Sequence, residues 1–250
     1  MEPSGPAALT DDDLRAVHEA LGVQAGVRAL EVTASTNTTA LEMARAGAPP
    51  WTLVTARHQT AGRGRHGRWW VDEPGGSVLC SVVLPLGEAS TMGRWTIAAG
   101  VAMAEAIDDE TGIGVRCAWP NDLMAGDAKV GGILCEGLVE GGRTIAAVAG
   151  VGVNLVAPAV EGSAGVGPAD PRSLLLGFCR RLRSSGEDWS GVRERWSERS
   201  HTVGRRVRAT GTDGSAVDGV ALALDDEGGL IITTEAGPVT VTSGLVERLR

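Results

Sequence analysis

Residues 59–70 read Gln59-Thr60-Ala61-Gly62-Arg63-Gly64-Arg65-His66-Gly67-Arg68-Trp69-Trp70, and the reading of this run decides the fold. Gly62, Gly64 and Gly67 have the spacing of a dinucleotide fingerprint, which would make the chain a doubly wound α/β protein. That fingerprint needs a helix opening on its third glycine. Here the third glycine leads into Arg68-Trp69-Trp70-Val71-Asp72-Glu73-Pro74-Gly75-Gly76, a loop running into a turn. A Walker-type phosphate loop fails too, because no Gly-Lys-Ser/Thr follows. What remains is a glycine-spaced arginine loop fed by a buried strand, Leu53-Val54-Thr55-Ala56. Its glycines let the backbone approach a ligand, and its guanidiniums offer forked donors to carboxylate or phosphate.

The flanks share the loop's charge. Between Glu42 and Asp72 there is no Asp or Glu, but there are Arg45, Arg57, Arg63, Arg65 and Arg68, in a chain of 250 residues with formal net charge −8. An acidic protein gains no solubility from one basic patch, so the patch points to a small, highly charged ligand held at close range. A solvated surface segment or a clamp on a nucleic-acid backbone are the competing readings. Against nucleic acid stand a pI of about 5.1 and the lack of a second basic stripe.

Composition bounds the rest. With 43% hydrophobic and 22% charged residues the chain is an ordinary globular protein, of about one to two domains. The cysteines, Cys80, Cys117, Cys135 and Cys179, fit neither a disulfide framework nor a zinc knuckle, which favours a reduced, cytoplasmic compartment with buried thiols. Met1-Glu2-Pro3-Ser4-Gly5 has no basic or apolar region of the kind that makes a signal peptide. The apolar runs at 97–107 and 145–153 are too short to span a membrane.

Periodicity predicts an amphipathic helix over 11–21, capped by Thr10, with Leu14, Val17, His18 and Leu21 on one face. A second short helix starts at Ser35 or Thr36 and ends near Gly47. A strand over 77–86, an alanine-rich helix over 91–109, and apolar β-branched runs at 115–118, 129–139 and 144–154 follow. Residues 156–170 lack periodicity and read as a mobile loop, before helices at 173–184 and 187–199. From Val203 the pattern becomes short alternating strands with hairpin signals at Asp213-Gly214, Asp226-Glu227-Gly228-Gly229 and Ala236-Gly237. The expectation is an α+β domain followed by a small β-barrel.

No metal-ligand spacing, nucleophile elbow or activated cysteine is present in this sequence. What stands out is a set of anion-binding and hydrogen-bonding groups at strand ends: Ser35-Thr36-Asn37, Gln59, Arg63, Arg65, Trp119-Pro120-Asn121-Asp122, Lys129 and Asn154. A site that condenses a carboxylate with a nucleotide needs such groups, because two anions are brought together against their repulsion. Lys is scarce here, and Lys129 opens a glycine-containing strand, Lys129-Val130-Gly131-Gly132-Ile133-Leu134.

In these motifs, with Gly150-Val151-Gly152-Val153-Asn154 and the arginine loop, the sequence resembles the biotin protein ligases. The resemblance runs from about residue 28 to Arg250. It implies a mixed-sheet catalytic domain related to class II aminoacyl-tRNA synthetases (29–202), an N-terminal extension (1–28) and an SH3-like barrel (203–250), the monofunctional type without a DNA-binding domain. The implied reaction joins biotin to ATP, giving biotinyl-5′-AMP and pyrophosphate, and then transfers biotin to a lysine of a biotin carboxyl carrier domain. Mg2+ would arrive with ATP on protein ligands that the resemblance does not name, with no prosthetic group, DNA or membrane involved.

By the same resemblance, Ser35, Thr36, Asn37, Gln59, Gly62, Gly64 and Trp70 would bind biotin, and Arg63, Arg65 and Lys129 would serve both ligands as the catalytic cations. Asn121, Asp122 and Asn154 would serve the nucleotide, joined there by Trp70. The chain departs from the family pattern at Ala118, where a lysine usually precedes Trp-Pro-Asn-Asp, and at His66, where many relatives have arginine. A lipoyl or octanoyl ligase, and a catalytically impaired biotinyl-AMP-binding protein, are the alternatives.

Overall fold

The computed structural model describes residues 8–87, 91–211 and 214–249. The N-terminal pentapeptide and Asp213 of the first hairpin signal lie outside them. In chain order the elements are α1 (Asp11–Ala20), β1 (Val27–Thr33), α2 (Thr36–Arg45), β2 (Leu53–Gln59), β3 (Ser77–Val83), α3 (Met92–Thr111), β4 (Arg116–Ala118), β5 (Asp122–Ala125), β6 (Ala128–Glu140) and β7 (Arg143–Asn154). Then come α4 (Pro171–Ser185), α5 (Trp189–Glu198), β8 (Arg206–Thr210), β9 (Ala216–Leu224), β10 (Leu230–Thr234), β11 (Gly237–Val241) and β12 (Leu245–Arg248).

β1 to β7 form one mixed sheet in the order β1-β2-β3-β7-β6-β5-β4, with β1 and β2 parallel and the other pairs antiparallel. Alternation along β7 sets the layers. Ala147, Ala149, Val151 and Val153 join the main core, whereas Val148 packs with Ala40, Val54 and Val83 beneath α2. Successive side chains point to opposite faces, so α3 with α4 and α5 covers one face and α2 covers part of the other. The uncovered part of the α2 face is where the site lies.

Local chemistry starts and stops the helices. Thr10 and Asp13 form a capping box on α1. Thr91 caps α3, which ends on Gly112 in the left-handed region at φ 69°. Asp170 caps α4 ahead of Pro171. Helix α1 is part of the core: Leu14 and Val17 are fully buried, each contributing roughly 1.5–3 kcal/mol relative to exposure.

The last five strands form an antiparallel sheet in the order β11-β10-β9-β8-β12. It is fastened to the larger sheet through the β4–β5 turn. Trp119 is buried, its backbone N–H donates to Thr202 Oγ1 at 2.9 Å, and its indole N–H donates to the Gly228 carbonyl at 2.9 Å.

Four expectations shift. The 77–86 strand ends at Val83. Asp122 opens a strand, β5, where the sequence suggested only a turn. His18, which the sequence suggests as a half-buried helix residue, lies fully inside the α1 packing, 5% exposed. Segment 156–170 has no helix or strand but is tied down: Lys129 N–H donates to the Gly162 carbonyl, Ala164 N–H to the Lys129 carbonyl and Val166 N–H to the Asn154 carbonyl, at 2.8–2.9 Å.

Candidate active site

The arginine loop folds over a cleft of about 140 Å3 on the α2 face of the sheet. Ser35, Thr36, Asn37, Gln59, Arg63, Gly64, Arg65, Trp70, Asn121, Asp122 and Lys129 all line it, together with Leu245 and Val246 of β12. A neighbouring cavity of about 460 Å3 runs beneath the loop toward the start of α3 and Gly228. The loop is closed by an antiparallel bridge between Arg63 and Trp69, and by Trp70 N–H donating to the Gly62 carbonyl at 3.0 Å. His66 stands at φ 56°, a left-handed conformation in which histidine is among the more tolerated side chains.

Two glycines of β7 give the cleft its shape. A Cβ on Gly150 would sit 2.2 Å from Asn37 Oδ1, and a Cβ on Gly152 would sit 2.6 Å from Trp70 Cζ2. The Trp70 ring therefore lies flat against bare backbone, with Gly132 of β6 paired beside it. Gly62 has a structural place and does not line the cleft. A Cβ there would meet Gln59 Nε2 at 3.0 Å and the Trp70 carbonyl at 3.1 Å.

The polar groups divide into those already engaged and those open to a ligand. Asn37 is engaged: both its amide donors are used on the Leu134 carbonyl and Glu136 Oε2, and its oxygen accepts from Ser81 Oγ. Arg63 is held by Glu136 at 2.9 Å and by Thr38. Gln59 Oε1 accepts from the Thr36 backbone at 2.8 Å, which turns its NH2 group away from Thr36. Ser35 opens α2 without a side-chain capping bond. Glu136, Ser81 and Thr38 were not among the sequence expectations. They lie 44 to 99 residues from Asn37 or 25 residues from Arg63 in the chain, and no local motif signals such pairings.

The charges are arranged around Asp122. Lys129, the only lysine in the chain, reaches its carboxylate at 2.6 Å. The Arg65 side chain has no hydrogen bond or ion pair among the described residues, and burial pulls its guanidinium pKa below the usual value while Asp122 opposes that shift. A desolvated guanidinium facing a cleft is an anion receptor. Asn121 is fixed by exchange with Ile133, its N–H2 donating to the Ile133 carbonyl at 2.8 Å.

Asn154 does not line the cleft. It is 3% exposed at the end of β7, donating to the Ala164 carbonyl while its Oδ1 has no partner. The cysteines play no part as nucleophiles: burial pushes Cys117, Cys135 and Cys179 up to about 12 and Cys80 well above its ordinary value. Among the described residues no group of His, Cys, Asp and Glu is placed to hold a metal ion, and no helix is long and apolar enough to cross a membrane.

Comparison with known proteins follows this architecture. Residues 29–154 match the Biotin/lipoate A/B protein ligase family, and residues 202–249 match the biotin protein ligase C-terminal domain. The chain is 32% identical to the biotin–[acetyl-CoA-carboxylase] ligase of Mycobacterium tuberculosis, over 92% of each. It is 34% identical to the enzyme of the same name from Paracoccus denitrificans, over 82% of this chain and 93% of that one. The fold is shared with the Aquifex aeolicus biotin protein ligase solved with biotin and ATP, at a TM-score of 0.76 and 24% identity over 90% of this chain and 99% of that one. With both of its sheets falling under matching models and its relatives aligned over most of their lengths, the chain belongs to the biotin protein ligases of the Biotin/lipoate A/B protein ligase family.

Proposed function

We propose that this ligase activates biotin with Mg-ATP and transfers it from biotinyl-5′-AMP to one lysine of a biotin carboxyl carrier domain. The observation that carries the reading is the pairing, in one cleft, of a half-buried guanidinium without an ion-pair partner among the described residues (Arg65) with an ammonium held by a carboxylate (Lys129–Asp122). An oxygen of the biotin carboxylate attacks the α-phosphorus, the bond from that phosphorus to the bridging oxygen breaks, and pyrophosphate leaves with the electron pair. Two preorganised cations at this point stabilise the charge that gathers where the anions meet. In the second step the lysine amine attacks the acyl carbon, AMP leaves and the amine proton passes to solvent.

Within this reading, Ser35 and the Gln59 NH2 group hydrogen-bond the ureido ring, Thr36 orients Gln59, and Trp70 forms the apolar wall. Arg63 ties the loop to Glu136 as well as facing the adenylate. Asn37, with its donors engaged, positions α2 against β6. Asn154 stands behind the cleft, its unpartnered oxygen available to the nucleotide once the 156–167 strap shifts. Residues 29–202 act as the catalytic domain, related to class II aminoacyl-tRNA synthetases, and 203–250 as an SH3-like unit that closes one end of the cleft. Relatives named as biotin ligases favour biotin over a lipoyl or octanoyl substrate.

The test is biotin-dependent pyrophosphate release followed by mass analysis of a carrier domain. Release that depends on biotin, and addition of one biotinyl group to the carrier, support the reading. Equal release with octanoate would reassign the substrate.

A further inference from the structure

The register of the outer strands brings one more cation onto the face of the cleft. Directly paired residues of antiparallel strands point to the same side, and Arg116 pairs with Met124, which pairs with Lys129. The β5–β6 register shifts between Leu123 and Met124, so the side is set by alternation along β4: Arg116 shares a face with Ala118, which pairs with Asp122, which pairs with Gly132. Cys117, between Arg116 and Ala118, points the other way: it is buried, and its Sγ lies 3.9 Å from where a Cβ on Gly100 of α3 would stand. Arg116 therefore shares the face on which Lys129 meets Asp122. Two strand spacings separate the backbones of Arg116 and Lys129, about 10 Å, a gap that an arginine and a lysine close on an anion between them.

The Arg116 side chain is exposed and has no hydrogen bond or ion pair among the described residues. Its surroundings are basic. Arg205 lies within 3.1 Å of His201 Nε2, and the charges of Arg116 and Arg205 both push the His201 pKa down, with burial as the larger cause. Asp127, at the tip of the β5–β6 turn, is the carboxylate recorded among them, 3.2 Å from His201. Ala118, the neighbour of Arg116 on this face, carries no charge, so Arg116 is the cation that β4 carries on the face where Lys129 meets Asp122, beyond the residues that line the cleft itself.

We propose that Arg116 is a phosphate-binding residue that holds the β- and γ-phosphates of ATP and the pyrophosphate that leaves. The assignment rests on the biotin-activating reading for its place in the reaction. When the α-phosphorus bond breaks, the electron pair and the negative charge go to the pyrophosphate, and a guanidinium beyond Lys129 lies where that charge arrives.

Inorganic tripolyphosphate is the probe, titrated calorimetrically into the full chain and into Arg116→Ala, Arg116→Lys and Arg143→Ala. Arg116→Ala is expected to weaken tripolyphosphate binding by roughly 10-fold or more, as befits the loss of one charge-assisted contact. Arg116→Lys retains most of the affinity, Arg143→Ala retains all of it, and biotin binds every variant alike. The KM for ATP in pyrophosphate release rises by the same factor in Arg116→Ala, while transfer from preformed biotinyl-AMP is unchanged. Affinity within about twofold of the unmodified chain would overturn the assignment, as would an unmodified chain that does not bind tripolyphosphate, or an equal loss of biotin affinity. Arg116-dependent tripolyphosphate binding without biotin-dependent pyrophosphate release would leave the phosphate site standing and remove the biotin reading.

Discussion

Gly132→Ala and Gly152→Ala place the same methyl group on two directly paired residues of one sheet face, yet the geometry separates them. At Gly152 the new Cβ would stand 2.6 Å from Trp70 Cζ2 and 2.7 Å from Cε2, about 1 Å inside ordinary carbon contact. Those atoms belong to a ring whose own chain is bridged into the arginine loop, so the ring and loop must move together. Overpacking of this kind costs about 1–3 kcal/mol. At Gly132 the nearest atoms are the end of Lys129 at 3.5 Å and Trp70 Cζ3 at 3.6 Å, ordinary contact distances. There the lower unfolded-state entropy of alanine stabilises by roughly 0.4–1 kcal/mol, offsetting any crowding.

Urea unfolding of the two variants is therefore expected to differ by about 1–4 kcal/mol, with Gly152→Ala the weaker. In thermal melts this corresponds to a gap of roughly 2–16 °C for a chain of this size. Biotin titration adds a second readout, since on the proposed function Trp70 walls the biotin site and the new methyl group would displace it by about 1 Å. Equal stabilities for the two variants, or normal biotin affinity in Gly152→Ala, would refute the account of the β7 glycines as the seat of Trp70.

Three further outcomes are expected. Lys129→Ala slows pyrophosphate release by roughly 100-fold or more with carrier-domain binding intact, as for the loss of one preorganised donor; near-normal release would remove Lys129 from the chemistry. His18 has its pKa lowered, first by burial, and its Nδ1 has no partner. Its neutral form is the one the folded state prefers, so the stability it contributes is fully present above the unfolded value near 6.5 and is lost as pH falls below it. His18→Leu should lose less stability than the parent chain between about pH 7.5 and about pH 5, and an identical loss in both would contradict this. Ala118→Lys puts an ammonium directly opposite Asp122, the partner of Lys129, and should speed pyrophosphate release without altering biotin affinity; no gain in rate would mean that the existing cations suffice.

What the sequence disclosed, and what it withheld, follow from the range of the interactions. The arginine loop, the capped helices, the β-branched runs and the Asp226-Glu227-Gly228-Gly229 turn are encoded within a few residues, and the family match and the structure bear out the α+β reading they led to. The loop glycines announced close approach, but only the structure shows that Gly62 gives way to Gln59 and Trp70. Glu136 is the clearest omission. It lies in an apolar strand with no motif around it, and it holds both Arg63 and Asn37. Its carboxylate takes up one amide donor of Asn37 and part of the charge of Arg63, whereas the Arg65 guanidinium has no ion pair among the described residues. A sequence motif names the donors, but the acceptors that occupy some of them, brought in by a strand paired across the sheet, determine which donors remain for chemistry.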